Sequence, residues 1–236
     1  MKIRNFTLVE LLVVLVVFAI LTALLLPATS MAREKNKSLV CINNQKLIST
    51  QLAMYVNDSN GVFMPFRAKF SPPAGAFWHE VLIQHTVGKD KTYWELPYWF
   101  CPEVKHPKSN PSVFGKYHQQ YPGYGACIAG PMADQSKAAK NNVYCTFTMS
   151  TIRKPNITVA LGDNASASYP EYGFVQINNL TGDHKTTSIN PGKHDGSENL
   201  SFVDGHIVSI KAERIWAWRD TKYTANPDML RGEFFK

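Results

Sequence analysis

The chain has 236 residues, 44% hydrophobic and 18% charged, enough for one sizeable domain and an accessory segment but too few for a multidomain enzyme. Fourteen Gly, fourteen Pro and four Cys exclude collagen-like, disordered and disulfide-scaffold classes. The net charge of +7 suits solubility or weak attraction to anionic surfaces, and alone does not imply nucleic acid.

The apolar residues are concentrated at the N-terminus. From Leu11 to Leu26 the chain reads LLVVLVVFAILTALLL, with no charge. The stretch from Phe6 to Pro27, at about 1.5 Å per helical residue, spans roughly 30 Å, one bilayer core. No second run of this kind follows, so the sequence predicts a single anchor with a water-soluble body. Lys2, Arg4 and the Ser30-Met31-Ala32 triplet fit a cleaved signal peptide, but the run exceeds the usual apolar length and holds Glu10. A carboxylate in a membrane segment costs on the order of 3 kcal/mol and is a functional candidate by default.

Phe6-Thr7-Leu8-Val9-Glu10-Leu11-Leu12-Val13-Val14 resembles the start of a type IV pilin or type II secretion pseudopilin. The resemblance implies cleavage of residues 1–5 between Asn5 and Phe6 by a prepilin peptidase, with methylation of the Phe6 amine. That family normally has Gly where Asn5 stands. It also implies a single pass through the inner membrane, a cytoplasmic N-terminus and a periplasmic or extracellular body. Charge alone is indecisive, because Arg33, Lys35 and Lys37 follow the run as Lys2 and Arg4 precede it. Cleavage would place an ammonium one turn from Glu10. Between subunits, Glu10 could then receive the Phe6 amine of a neighbour and set an axial stagger, since an unpaired buried carboxylate is costly. The bland alternative is a Glu10 that snorkels to the interface.

Past Pro27, which removes a backbone donor and bends or loosens a helix, the helical pattern continues over 28–56. Val40, Cys41, Leu47, Ile48, Leu52, Met54 and Tyr55 share one broad face, and Asn57-Asp58-Ser59-Asn60-Gly61 ends the helix. The remaining body, 57–236, opens with an irregular region over 62–125 that includes a short helix near Trp78–Gln84. Strand-like segments follow at Val143–Met149, Thr158–Leu161, Gly173–Ile177, Leu200–Val203 and His206–Ile210. Asp204-Gly205 predicts a two-residue type I′ hairpin that sets Phe202 against Ile207 and Val203 against His206. The fold class expected is α+β: a long N-terminal helix, membrane-spanning in its first half, on an antiparallel sheet, as in pilins.

His194, followed after nine residues by Asp204-Gly205, resembles the His-x9-Asp-Gly signature of a large group of prepilin-like proteins. Cys101-Pro102, Tyr124-Gly125 and Leu161-Gly162-Asp163 also look like that group. Two readings of this signature stand side by side. In one, His194 hydrogen-bonds to Asp204 or nearby backbone and clamps the Asp204-Gly205 turn. In the other, Asp195, Glu198 and Asp204 hold Ca²⁺, with Asp163, Asp183 and His184 near, since a hard cation takes several oxygens. Zinc is not expected, because no His or Cys pair shows a recognised ligand spacing.

Cys41, Cys101, Cys127 and Cys145 allow three pairings if all are bonded, among them Cys127–Cys145 and Cys41–Cys101. A small buried thiol is the alternative for Cys41. No hydrolase, zinc-protease, phosphate-loop or dinucleotide motif occurs, so no enzyme and no resident cofactor are expected. The expected function is a structural pseudopilin-like subunit, partnered by a prepilin peptidase and other pilin or pseudopilin subunits, with no nucleic acid. The alternative is an anchored surface binder whose Trp78, Trp94, Tyr98, Trp99, Tyr121 and Tyr124 stack on polysaccharide or single-stranded nucleic acid, as against packing in the core.

Overall fold

The computed structural model describes residues 7–65, 76–105, 123–127, 148–163, 176–177 and 193–211. Helix α1 (Leu8–Asp58) is continuous through Pro27, and its 51 residues amount to about 77 Å of rod. It starts with a capping box: Thr7 Oγ1 accepts from the Glu10 amide, while Glu10 accepts from the Thr7 amide. At the other end Asn60 and Gly61 take positive φ, 53° and 81°, and the Gly61 amide bonds to the Val56 carbonyl at 2.7 Å. The Asn57–Gly61 cluster thus stops the helix as expected.

The two halves of α1 live in different surroundings. Its N-terminal half is exposed along its length and is the one described helix long and apolar enough to cross a membrane. In the C-terminal half, Cys41, Gln45, Ile48, Ser49, Leu52 and Val56 are buried. The stripe differs from the apolar face read in the sequence. Leu47 and Met54 are 53% and 51% exposed, whereas polar Gln45 and Ser49 are fully or nearly enclosed. Apolar periodicity located the helix but misplaced the edge of its contact face, because two of the inward residues are held by hydrogen bonds.

Among the described residues that face rests on a five-stranded sheet of order β3-β1-β2-β4-β5, comprising β1 (Tyr124–Cys127), β2 (Val159–Asp163), β3 (Gln176–Ile177), β4 (Ser197–Phe202) and β5 (Ile207–Lys211). The neighbouring pairs β1–β2, β2–β4 and β4–β5 are antiparallel, and β3 joins the β1 edge in parallel. The fold is therefore α+β, with one parallel pair that the sequence did not announce. Strand β1 begins at the end of the region expected to be irregular and is not among the expected strands. Met149 lies in a 3₁₀ turn, Met149–Thr151, not a strand; the rest of the 143–149 segment is outside the described residues apart from a bridge from Thr148 to Val62.

The β4–β5 hairpin corrects the expected register by one residue. Ser201 pairs with Ile207, the Phe202 amide bonds to the His206 carbonyl, and the Gly205 amide bonds to the Phe202 carbonyl. The loop is Val203-Asp204-Gly205, with positive φ (85°) at Gly205 and not at Asp204. A three-residue loop with its last residue left-handed satisfies the twist with one positive-φ residue instead of two. His206 then stacks flat on Phe202, centroids 4.3 Å apart.

Between helix and sheet edge, α2 (Trp78–Thr86) and two 3₁₀ turns, Tyr93–Glu95 and Pro97–Trp99, supply an aromatic core. Trp78, Trp99, Tyr93 and Tyr124 are enclosed with Ile48, Leu82, Ile83 and Leu161. Each such side chain contributes about 1.5–3 kcal/mol on burial. His79 sits among the rings of Phe77, Trp78, Tyr93 and Trp99, 5.0–6.1 Å away, with neither ring nitrogen hydrogen-bonded among the described residues. Burial alone pulls its pKa down to about 3. Above pH 6.5 His79 is neutral in both states and adds no pH-linked cost; as pH falls from 6.5 towards 3 only the unfolded chain takes up the proton, so stability falls. Between pH 7 and pH 5 the wild-type chain in detergent should lose about 2 kcal/mol more than His79→Phe, read from denaturant midpoints. Parallel pH profiles would show that His79 is not the titrating group.

Candidate functional site

A polar cluster lies at the seam where α1, the 99–105 segment and the sheet meet. Helix α1 contributes Cys41 and, one turn on, Gln45. The end of β2 contributes Asp163, a tight turn before β4 contributes His194, and the turn after Pro97–Trp99 contributes Cys101. All five are buried. Asp163 is the hub: its Oδ1 accepts from Cys41 Sγ at 2.8 Å and Gln45 Nε2 at 2.9 Å, and its Oδ2 accepts from the Asn199 amide at 3.1 Å. His194 Nε2 lies 3.3 Å from both Asp163 Oδ2 and Cys101 Sγ.

The local backbone is bent to make this possible. His194, Asp195 and Gly196 all have positive φ, 44°, 56° and 73°, which L side chains adopt at a cost. The His194 amide donates to Glu103 Oε2 at 2.7 Å, and Glu103 Oε1 stands 3.7 Å from His194 Nδ1. Lys211 closes the exposed side by donating to the Asp195 carbonyl at 2.6 Å. On the other flank, Gly123 brings β1 against the segment carrying Cys101. Its amide bonds to the Trp99 carbonyl at 2.7 Å, and a Cβ there would lie 2.5 Å from the Cys101 nitrogen.

The charges are strongly coupled. Burial opposes ionisation of Asp163, but the His194 hydrogen bond and the Lys193 and His194 charges outweigh it and hold the pKa down. Burial likewise opposes protonation of His194, and Asp163 with Cys101 overcomes it, raising the imidazole to about 10. Cys101 drops to about 6, chiefly through the hydrogen bond from Cys41, with further help from His194. Cys41 is pushed up by burial and by donating to Cys101. Glu198 is driven up by burial and then by the Asp163 charge; neither of its oxygens has a hydrogen-bond partner among the described residues.

Several expectations from the sequence change here. His194 turns to Asp163, Cys101 and Glu103, not to Asp204; Asp204 instead bonds to the His206 ring and amide. The signature His and its Asp-Gly lie at opposite ends of β4, about 20 Å of extended chain apart. The same separation divides the proposed Ca²⁺ ligands. Glu198 is enclosed, Asp204 is at the far hairpin, and the Asp195 side chain is exposed beside Lys211. Gly205 supplies the hairpin's positive φ, as expected of it.

Cys41 and Cys101 are free, buried thiols close together, so they are neighbours as anticipated but not bonded. Cys127 ends β1; its side chain and Cys145 are outside the described residues, as are Asn5, Phe6, Tyr121, Asp183 and His184. The stacking aromatics are inside: Trp78, Trp99 and Tyr124 are buried, and Trp94 and Tyr98 pack half-buried against the same core. Sequence reasoning missed Gln45, Glu103, Gly123 and Asn199. The signal available was the i, i+4 spacing of Cys41 and Gln45, which places both on one face of a helix.

Comparison with protein-family models, curated proteins and solved structures finds no match. The cluster therefore stands on its own chemistry: two thiols, a carboxylate and an imidazole, each offering one donor atom, all within 4.8 Å of one another.

Gly123→Ala tests the mounting of this site. The added methyl would meet the Trp99 carbonyl oxygen at 2.6 Å and Phe100 Cα at 2.7 Å, both backbone, so the Cys101 segment must move. A loss of about 3 kcal/mol in denaturant unfolding is expected. A wild-type midpoint would show that the close approach is not needed.

Proposed function

We propose that the chain is a pseudopilin-like structural subunit, cut between Asn5 and Phe6 by a prepilin peptidase and polymerised through its N-terminal helix. The observation that carries this reading is the division of α1: one unbroken helix with an exposed apolar half and a half built into its own domain. An apolar half that the domain leaves uncovered needs lipid before assembly and other helices after it. In this reading the helix crosses the inner membrane, with the body periplasmic or extracellular.

Glu10 supports the same reading. Both Thr7 hydrogen bonds, from the amide and from the hydroxyl, fall on Oε2 at 2.8 Å. The lone chain thereby softens the carboxylate's insertion cost. In this reading a neighbouring subunit's Phe6 ammonium pairs with Glu10 and fixes the stagger between helices.

Two measurements test the proposal. Intact-mass analysis of membrane-extracted protein should give a chain starting at a methylated Phe6. A chain starting at Arg33 would make the segment a signal peptide and end the pilin reading. Glu10→Ala should insert normally yet reduce incorporation into filaments at least tenfold, on the order of 1.4 kcal/mol of lost pairing. Unchanged helix–helix crosslinking in that variant would remove Glu10 from the assembly contact.

A further inference from the structure

We infer that Cys41, Cys101, Asp163 and His194 form a tetrahedral binding site for a zinc-class divalent ion, which ties α1 to the sheet. Four ligand atoms from four separate segments lie within 4.8 Å of one another, all buried. A tetrahedral ion with bonds of about 2.0–2.3 Å requires ligand–ligand edges of about 3.2–3.8 Å. The His194–Asp163 and His194–Cys101 edges are both 3.3 Å, so the widest edge need close by about 1 Å at most. Cys41 Sγ donates to Asp163 Oδ1 at 2.8 Å; when that proton gives way to the ion, the edge opens by about 0.4 Å to tetrahedral spacing.

The donor set decides the metal. Two sulfurs disfavour Ca²⁺ and Mg²⁺, which take oxygen, while two sulfurs with one nitrogen and one oxygen suit zinc. Four protein ligands in a closed pocket make the site structural, because no position remains for water or substrate.

The surroundings are those of a metal site. The imidazole coordinates through Nε2, leaving Nδ1 facing Glu103, the arrangement that fixes a ligating histidine's tautomer. Gln45 and the Asn199 amide hold the Asp163 carboxylate in place. Gln45 Oε1 and Asn199 Oδ1 are buried acceptors without hydrogen-bond partners among the described residues. Unpartnered acceptor oxygens cost stability in a dry seam, and a nearby centre of positive charge offsets part of that cost. On binding, the Cys41 thiol proton, the His194 Nε2 proton and any proton still on Cys101 leave to solvent; nothing is oxidised or reduced.

The test uses the full chain, extracted in detergent under reducing conditions. Elemental analysis should find about one zinc per chain, falling below about a tenth in Cys41→Ser and in His194→Ala, and unchanged in His85→Ala. Because those variants risk misfolding, the wild-type chain is also stripped with chelator and titrated with Co²⁺. It should develop the intense visible bands of tetrahedral coordination with thiolate charge transfer, and zinc should abolish them. Zinc should also slow alkylation of both Cys41 and Cys101 at least tenfold and raise the melting temperature, by mass action. A folded, reduced wild-type chain that takes up neither ion at saturation would overturn the site. So would copper as the bound metal, or a Cys41–Cys101 disulfide in chain isolated with its thiols trapped by acid.

Discussion

The Asp163 carboxylate is the point on which the body's architecture depends. A buried anion is tolerable only if its lone pairs are filled, and here the fillers come from different parts of the chain: Cys41 and Gln45 from α1, the Asn199 amide from β4, and the His194 ring from the turn before it. The hydrophobic effect would press α1 against the sheet in many registers. The directional bonds at Asp163 select one. Further bonds on the same seam repeat the choice, with Ser49 meeting Ser201, Asn44 meeting the Phe100 carbonyl and Lys46 meeting the Gly205 carbonyl.

The sequence displayed what depends on composition and hid what depends on convergence. The apolar half of α1, the Asn57–Gly61 stop and most of the strands are local patterns, and the structure has them. Strand β1 was hidden because Tyr124-Gly125-Ala126-Cys127 is too short and too glycine-rich to show alternation. The hairpin slipped by one residue because Asp-Gly signals a turn without saying how many residues flank the positive φ.

The polar cluster was invisible for a different reason. Cys41 and Asp163 are 122 residues apart, and Cys101 and His194 are 93 apart, so no ligand spacing exists to be read. Yet three of the segments carrying the second resemblance, Cys101-Pro102, Leu161-Gly162-Asp163 and His194, meet at this one place, and Tyr124 is buried in the core beside it. The nine residues between His194 and Asp204 span a strand instead of closing a clamp: His194 secures one end of β4 to the core, and Asp204-Gly205 turns the chain at the other.

The continuity of α1 carries a mechanical consequence. With no swivel between the apolar half and the half fixed to the sheet, the body's azimuth around the helix axis is encoded in residue count. One residue inserted between Pro27 and Cys41 would turn the whole domain by about 100° and raise it by about 1.5 Å. A pull or twist applied to the apolar half is passed along the unbroken helix to Cys41, so the seam around Asp163 is where axial load becomes shear between helix and sheet.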